Sequence, residues 1–228
     1  MCGIAGILNL NRAPVVGSDI KLMTDAIAHR GPDGEGQWIE GNVGFGHRRL
    51  SIIDLSKNGS QPMHSSTGRY VITYNGEVYN FKELRKDLQS LGCAFQSATD
   101  TEVVINAIEY WGIDAIKRFN GMFAFAIWDK KEQCLTLGRD RYGIKPLYIY
   151  RNEKTILFGS EQKAILANPT FKKIVDVEAL YEYLTFQNLL TNKTLFRDIS
   201  ILPAGHFAQI RMAHGKQAEL KYFQYFIL

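Results

Sequence analysis

The chain is poor in the features that mark specialised proteins. Its 228 residues hold three cysteines, Cys2, Cys93 and Cys134, far apart and in no CxxC or zinc-ligand spacing. So odd and sparse a set excludes a disulfide framework and a cysteine-held metal, and it fits a reducing, cytoplasmic setting. No run of 18 apolar residues occurs, so no membrane span is expected. Residues 3–10 are apolar, but no positive residue precedes them and Arg12 follows, the wrong order for a secretory signal. Cys at position 2, where Gly is required, breaks the myristoylation pattern. No run of five or six like charges exists either. Lys plus Arg number 27 against 23 for Asp plus Glu, and the +4 excess is thinly spread. The densest basic stretch, 139–154, has five positive and two negative charges. It reads as a solvated face, so nucleic acid is not expected as a partner.

What is present is an ordinary globular composition, 46% hydrophobic and 22% charged, which excludes disorder as the main state. The length suits one large domain or two small ones. Residues 3–10 read as a short buried strand. A helix follows at 20–28, capped by Ser18 or Asp19, then a Gly- and Pro-rich loop at 29–34. Strands are expected at 43–53 and 70–74, with Asn75-Gly76 as a turn. Helices at 81–91, ending at Gly92, and at 100–111, capped by Thr99 or Asp100, precede a short helix at 113–119. The apolar run 122–128 predicts a fully buried strand, paired with 134–139 across a polar turn. A hairpin at 147–151 and 155–159, helices at 161–167 and 177–187, and a strand at 206–212 complete the pattern. Strand pairs and helix pairs come in blocks, which predicts an α+β fold rather than alternating βαβ units.

Three features carry chemistry when taken together. If Met1 is removed, Cys2 presents a thiol and a free α-amine in one residue. That amine has a reference pKa of about 7.7–8.0, so it is a usable base near neutrality. The bland alternative is an inert residue at a start site. Asn75-Gly76 offers a side-chain amide and a backbone N–H that can converge on an oxyanion, against the plain-turn alternative. Arg49 suits a bidentate grip on a carboxylate, and Asp100 can accept from an ammonium. Together they would hold the two ends of an α-amino acid. Alone, each is an ordinary salt bridge or cap.

The combination is far more specific than its parts. Met-Cys-Gly-Ile-Ala-Gly at 1–6, His-Arg-Gly-Pro-Asp at 29–33 and Arg-Leu-Ser-Ile-Ile-Asp at 49–54 occur in order. They are followed by Tyr-Asn-Gly-Glu-Val-Tyr-Asn at 74–80, Thr-Asp-Thr-Glu at 99–102, Asn-Gly-Met-Phe-Ala-Phe at 120–125 and Gly-Arg-Asp-Arg-Tyr-Gly-Ile-Lys-Pro-Leu-Tyr at 138–148. This series resembles the glutamine-hydrolysing domain of the asparagine synthetases, over about residues 2–210. The resemblance implies an N-terminal-nucleophile hydrolase fold, a four-layer α/β/β/α sandwich. It implies glutamine as substrate, Cys2 as nucleophile, and Asn75 and Gly76 as the oxyanion hole. Arg49 would hold the substrate α-carboxylate, with Glu77 and Asp100 near its α-ammonium. Leu50, Ser51, Ile52 and Ile53 would line the substrate. The 29–33 and 139–148 segments receive no catalytic role, and Cys93 and Cys134 are expected to be core thiols.

The family also has a second domain that activates aspartate with ATP and Mg, through a Ser-Gly-Gly-x-Asp-Ser loop. No such run occurs here. Residues 2–212 are therefore expected to form the amidotransferase domain, needing no cofactor or metal, and 213–228 to begin a linker. The synthetase domain would lie in cis or on a separate chain. The alternative is a related amidotransferase serving another acceptor, such as a surface sugar or a peptide. Whether two chains pair as a homodimer is left open.

Overall fold

Every second residue of a strand faces the same way, and that alternation organises this molecule. The computed structural model describes residues 1–212 and 219–227. It begins with β1 (Gly3–Asn9), α1 (Gly17–Asp25), β2 (Gly34–Glu40), β3 (Val43–Arg49), β4 (Met63–His64), β5 (Tyr70–Val78), α2 (Phe81–Ser90) and α3 (Asp100–Trp111). There follow β6 (Gly121–Asp129), β7 (Cys134–Arg139), β8 (Tyr148–Arg151), β9 (Thr155–Gly159), α4 (Gln162–Leu166), α5 (Val177–Phe186), β10 (Ile199–Ile201), β11 (His206–Arg211) and β12 (Leu220–Gln224). The strands form two six-stranded sheets, in the orders β10-β8-β9-β1-β3-β2 and β12-β11-β7-β6-β5-β4. Neighbouring strands pair antiparallel throughout.

The two sheets bury their inner faces against each other. Ile4, Leu8, Val43, Phe45, Ile156 and Phe158 of the first meet Val71, Ala124, Ala126, Trp128, Leu135 and Leu137 of the second. Each Val, Leu, Ile or Phe side chain among them contributes about 1.5–3 kcal/mol when it leaves water. The outer faces carry the alternate residues. Ala5, Ile7 and Leu157 pack on Ile20 and Met23 of α1 and on Ala164 and Ile165 of α4. Ile72, Val78, Phe123, Phe125 and Ile127 pack on Leu84 and Leu88 of α2 and on Val103, Val104, Ala107 and Ile108 of α3. The result is the expected α/β/β/α order of layers.

The structure differs from the sequence reading in several places. Asn75-Gly76 is no turn. β5 runs through it to Val78, with Asn75 opposite Ala124 and Gly76 opposite Phe123. Glycine is needed there for close strand approach, because a Cβ would collide with the Met122 carbonyl and with Phe123. β3 stops at Arg49, leaving 50–56 as a loop apart from bends, and Gly34–Glu40 adds an edge strand with no sequence expectation behind it. Helix α1 starts after Val16 with no side-chain cap and ends at Asp25, so neither Ser18 nor Asp19 caps it. Thr99 does cap α3, accepting from the Glu102 N–H at 3.3 Å. The expected helix at 113–119 is a 3-10 segment, Ile113–Arg118. Basic 139–154 is not simply a solvated face, since Arg139 and Lys145 are buried. Residues 213–218 and 228 of the expected linker lie outside the described residues. Leu220–Gln224, within the same stretch, is an edge strand on β11, where Phe223 stacks on Phe207 at 5.0 Å. Cys93 and Cys134 are buried free thiols, as expected.

Two polar bonds stitch the sheets together within this apolar layer. Thr73 Oγ1 donates to the Gly46 carbonyl at 3.2 Å. His47 Nε2 lies 3.2 Å from the Tyr74 carbonyl, and its Nδ1 has no partner among the described residues. Complete burial of His47 holds its pKa down to about 3, with the Arg49 charge adding to the effect. The folded protein therefore keeps this imidazole neutral, whereas the unfolded chain protonates it below about pH 6.5. Stability from this residue is present above that value and is lost as pH falls towards 3, at up to about 1.4 kcal/mol per pH unit. Urea unfolding between pH 7 and 5 should show that slope, and His47→Gln should flatten it.

Candidate active site

The apolar fill between the sheets ends where polar residues begin. Ile4 lies opposite His47 in the β1–β3 pair. The next inward positions towards that end are Cys2 and Arg49. On the facing sheet, β5 continues inward from Val71 and Thr73 to Asn75 and Glu77. Strand alternation alone therefore brings these four side chains to one end of the cleft. A cavity of about 150 Å³ opens there, lined by Cys2, Arg49, Asn75, Gly76, Glu77 and Asp100 and by Leu50, Ser51, Ile52 and Ile53. Every site residue expected from sequence is in that wall. Gln61, Tyr74, Thr99, Met122 and Lys145 share it and were not anticipated. Of these, Tyr74, Thr99, Met122 and Lys145 lie inside the motifs at 74–80, 99–102, 120–125 and 138–148, and Gln61 alone carried no such signal.

The Cys2 thiol is half-buried against the loop after β3. Its Sγ accepts from the Leu50 N–H at 3.4 Å and faces the Leu50 carbonyl at 3.6 Å. Burial pushes its pKa up, only partly offset by the Leu50 bond, so the thiol needs a base. The 29–33 segment clamps the strand that carries it. Arg30 Nε donates to the Cys2 carbonyl at 2.9 Å, and its Nη1 pairs with Glu161 at 3.0 Å. Asp33 accepts from the Ser51 N–H at 2.8 Å, tying the same segment to the loop on the other side of the thiol.

Asn75 and Gly76 offer two donors to the cavity they line. The Asn75 side chain is buried, lines the cavity, and its Nδ2 has no partner among the described residues. Leaving such a donor unpaired costs about 1–3 kcal/mol, and this one belongs to a side chain that lines the cavity. The direction of the Gly76 N–H follows from the ladder. Phe123, opposite, bonds through both backbone groups to Asp140: its N–H donates to Oδ2 at 3.1 Å, and its carbonyl accepts from the Asp140 N–H at 2.8 Å. Gly76 and Phe123 therefore form a non-hydrogen-bonded pair. Tyr74 N–H donates away from β6 to Gln61 Oε1 at 2.6 Å, and Val78 N–H to Asp100 Oδ2 at 3.0 Å. The Gly76 N–H lies between them on the same edge, towards the cavity that Gln61 and Asp100 line.

The charged groups are equally constrained. Asp100 sits in the first turn of α3, and its Oδ2 also accepts from Tyr74 Oη at 2.8 Å. Burial nonetheless raises its pKa. The same burial, with Asp100 beside it, pushes Tyr74 well above a phenol's usual value. Arg49 donates from Nη1 to the Ser56 carbonyl at 2.8 Å and from Nη2 to the Asp54 carbonyl, so its guanidinium holds the 54–56 backbone over the cavity. Bonds from Ser56 and the Ala98 N–H hold the Asp54 carboxyl down to about 2, which keeps that loop's anchor ionised.

A solved structure shares this layering. Glutamine phosphoribosylpyrophosphate amidotransferase from Bacillus subtilis superposes with a TM-score of 0.70 at 17% identity, over 96% of this chain and 49% of that one. The shared architecture is the four-layer α/β/β/α sandwich built on two stacked six-stranded sheets. Sequence narrows the class further: the glutamine amidotransferase domain pattern matches residues 1–223, and the chain belongs to that family. Two relatives from Bacillus subtilis (strain 168) are asparagine synthetase [glutamine-hydrolyzing] 3, 42% identical over 80% of this chain, and asparagine synthetase [glutamine-hydrolyzing] 1, 38% identical over 92%. The amidase chry2 of Gibberella zeae is 40% identical over 73% of the chain. This chain spans 26–34% of the length of these three relatives.

Thiol exposure and pKa give a direct test. Iodoacetamide should label Cys2 well before the buried Cys93 and Cys134, as read by peptide mass mapping. In material that retains Met1, the Cys2 nitrogen is an amide and burial keeps the thiol protonated. Its labelling rate should then keep rising past pH 9, without a plateau near neutrality.

Proposed function

We propose that this chain is the glutaminase part of an asparagine synthetase. It hydrolyses glutamine through Cys2 once Met1 has been removed. The observation that carries the reading is the unpartnered Asn75 amide in the same cavity as the Cys2 thiol, beside the outward-pointing Gly76 N–H.

The chemistry follows from those positions. The Cys2 α-amine takes the thiol proton, and the sulfur attacks the side-chain amide carbon of glutamine. As the S–C bond forms, negative charge moves to the amide oxygen, where Asn75 Nδ2 and the Gly76 N–H accept it as hydrogen-bond donors. The C–N bond then breaks, and ammonia leaves with the proton held by the amine. Water attacks the γ-glutamyl thioester, restoring the thiol and releasing glutamate. Arg49 is the partner for the substrate α-carboxylate, exchanging its bonds to the 54–56 backbone for a bidentate grip. Asp100 and Glu77, on the opposite wall, suit the α-ammonium, and the 50–53 loop covers the ligand.

The ammonia acceptor in this reading is aspartate, activated with ATP and Mg in a part of the protein outside this chain. The length of the relatives supports that division. The residues present do not suit either cofactor: the chain has no Ser-Gly-Gly-x-Asp-Ser run, and no cluster of three metal-ligating side chains occurs among the described residues. Helix α5 supports a covering partner surface, because Val177, Tyr181, Leu184 and Phe186 all stand exposed on it. The three free thiols support a reducing cytoplasm.

Glutamate release measured by a coupled dehydrogenase assay tests the chemistry. Cys2→Ala should abolish it with an unchanged melting curve. Asn75→Ala should lower kcat by about 10²–10³ with little effect on KM. Turnover persisting in Cys2→Ala would remove Cys2 from the mechanism.

A second assay addresses the acceptor. Given glutamine, aspartate, ATP and Mg, the chain alone should release ammonia and form neither asparagine nor AMP. Asparagine formed without a second protein would overturn the division of labour proposed here.

A further inference from the structure

Lys145 is a buried cation with no ion-paired carboxylate among the described residues. It is 5% exposed, lines the Cys2 cavity, and carries its Nζ 2.9 Å from Met1 Sδ. Among the described residues no carboxylate lies within ion-pair distance of it. Burying an ammonium this way is costly, so its position calls for a purpose. The surrounding charges are few. Asp140, on its own segment, has both oxygens occupied by the N–H groups of Phe123, Tyr142, Ile144 and Lys145. Arg30, from the 29–33 segment, holds the Cys2 carbonyl and is paired with Glu161. Glu77 of β5 and the Cys2 thiol face Lys145 within electrostatic reach. Arg49 and Asp100 complete the set around the thiol. Lys145 is thus a buried positive charge beside the start of the chain with no ion pair among the described residues. Burial and Arg30 push its own pKa down, while a negative sulfur would favour its charged form.

We propose that Lys145 is a positioning residue for the thiol chemistry: its ammonium keeps the Cys2 α-amine in the neutral, proton-accepting form and favours the thiolate. The inference rests on the N-terminal-amine reading above. A nearby positive charge penalises protonation of an amine and stabilises a thiolate, so both effects favour proton transfer from sulfur to nitrogen. In the chain that carries Met1, its thioether occupies the place next to Nζ. Removal of Met1 frees that place at the same time as it creates the amine.

The test uses protein whose first residue is Cys2, verified by intact mass. Two profiles are measured from pH 5.5 to 9.5: kcat/KM for glutamine and the rate of Cys2 alkylation by iodoacetamide. In Lys145→Met the acid limb of both should move up by roughly half to one pH unit, a threefold to tenfold loss near pH 6.5 that disappears at high pH. Lys145→Arg should keep the wild-type limb. Lys145→Gln replaces the methionine variant if the latter does not fold. An unmoved limb in the uncharged variant, an equal loss at every pH, or a shift in Lys145→Arg equal to that in Lys145→Met would each overturn the proposal. Alkylation needs no glutamine turnover, so it reads Lys145 whatever the substrate. Absence of Cys2-dependent glutamate release from the wild type would sink only the functional reading.

Discussion

Everything in this molecule depends on two sheets burying their inner faces against each other. A strand has only two sides, so committing one to the inter-sheet layer fixes where every other residue points. Ile4 and Leu8 must face Val71 and Trp128, and the same alternation carries Cys2 and Arg49, with Asn75 and Glu77, into the end of the cleft. A one-residue slip of β5 would turn Asn75 towards α3 and Tyr74 into the cleft. The register is held by Thr73 bonding to Gly46, by His47 at Tyr74, and by the close β5–β6 approach that only glycine allows at position 76.

The layer that positions the site also sets its electrostatics. Charge is penalised where water is absent, and the same cause acts on groups of both signs. It keeps His47 neutral, raises Cys2 and Asp100, and lowers Lys145. A thiol raised in this way is a poor nucleophile until a base and a cation stand beside it. An unpaired Asn75 amide would be a defect in an ordinary core. In the glutaminase reading proposed above, it is a donor already in place for transient negative charge, with no reorganisation required at the moment of reaction.

Clamps from distant segments make the first residues rigid enough to use. Arg30 reaches the Cys2 carbonyl and is itself held by Glu161, which precedes α4. Asp33 ties the Leu50–Ser51 backbone to the same segment, and Asp140 braces Phe123 opposite Gly76. These bonds tie 29–33 and the residue before α4 to Cys2, and 139–148 to the strand opposite Gly76. The motif segments without an obvious catalytic part are the ones that brace this end of the cleft.

Much of this was legible in the sequence. The apolar run at 122–128, the paired strand at 134–139 and the helical face from Val103 to Trp111 follow from periodicity, because burial dictates which positions are apolar. The gathering of Cys2, Asn75, Gly76, Arg49 and Asp100 in one site was legible too, and all five line the same cavity. The mistakes arose where local signals compete with partners far along the chain. Asn-Gly marks a turn in isolation, but here β6 and Asp140 keep the strand running through it. The strand at 34–40 has weak local preference and exists because β3 pairs with it. A basic segment suggested a wet surface, yet Arg139 is buried on the carbonyls of Lys145, Leu202 and Gly143. Sequence by itself determined which groups were available and which face of each element was apolar. Only the tertiary structure decided that the Gly76 N–H points into the cavity, that the Asn75 amide stays unpaired, and that Lys145 stands beside Cys2. Those outcomes depend on which strands become neighbours, and neighbours distant in sequence leave no local periodicity to read.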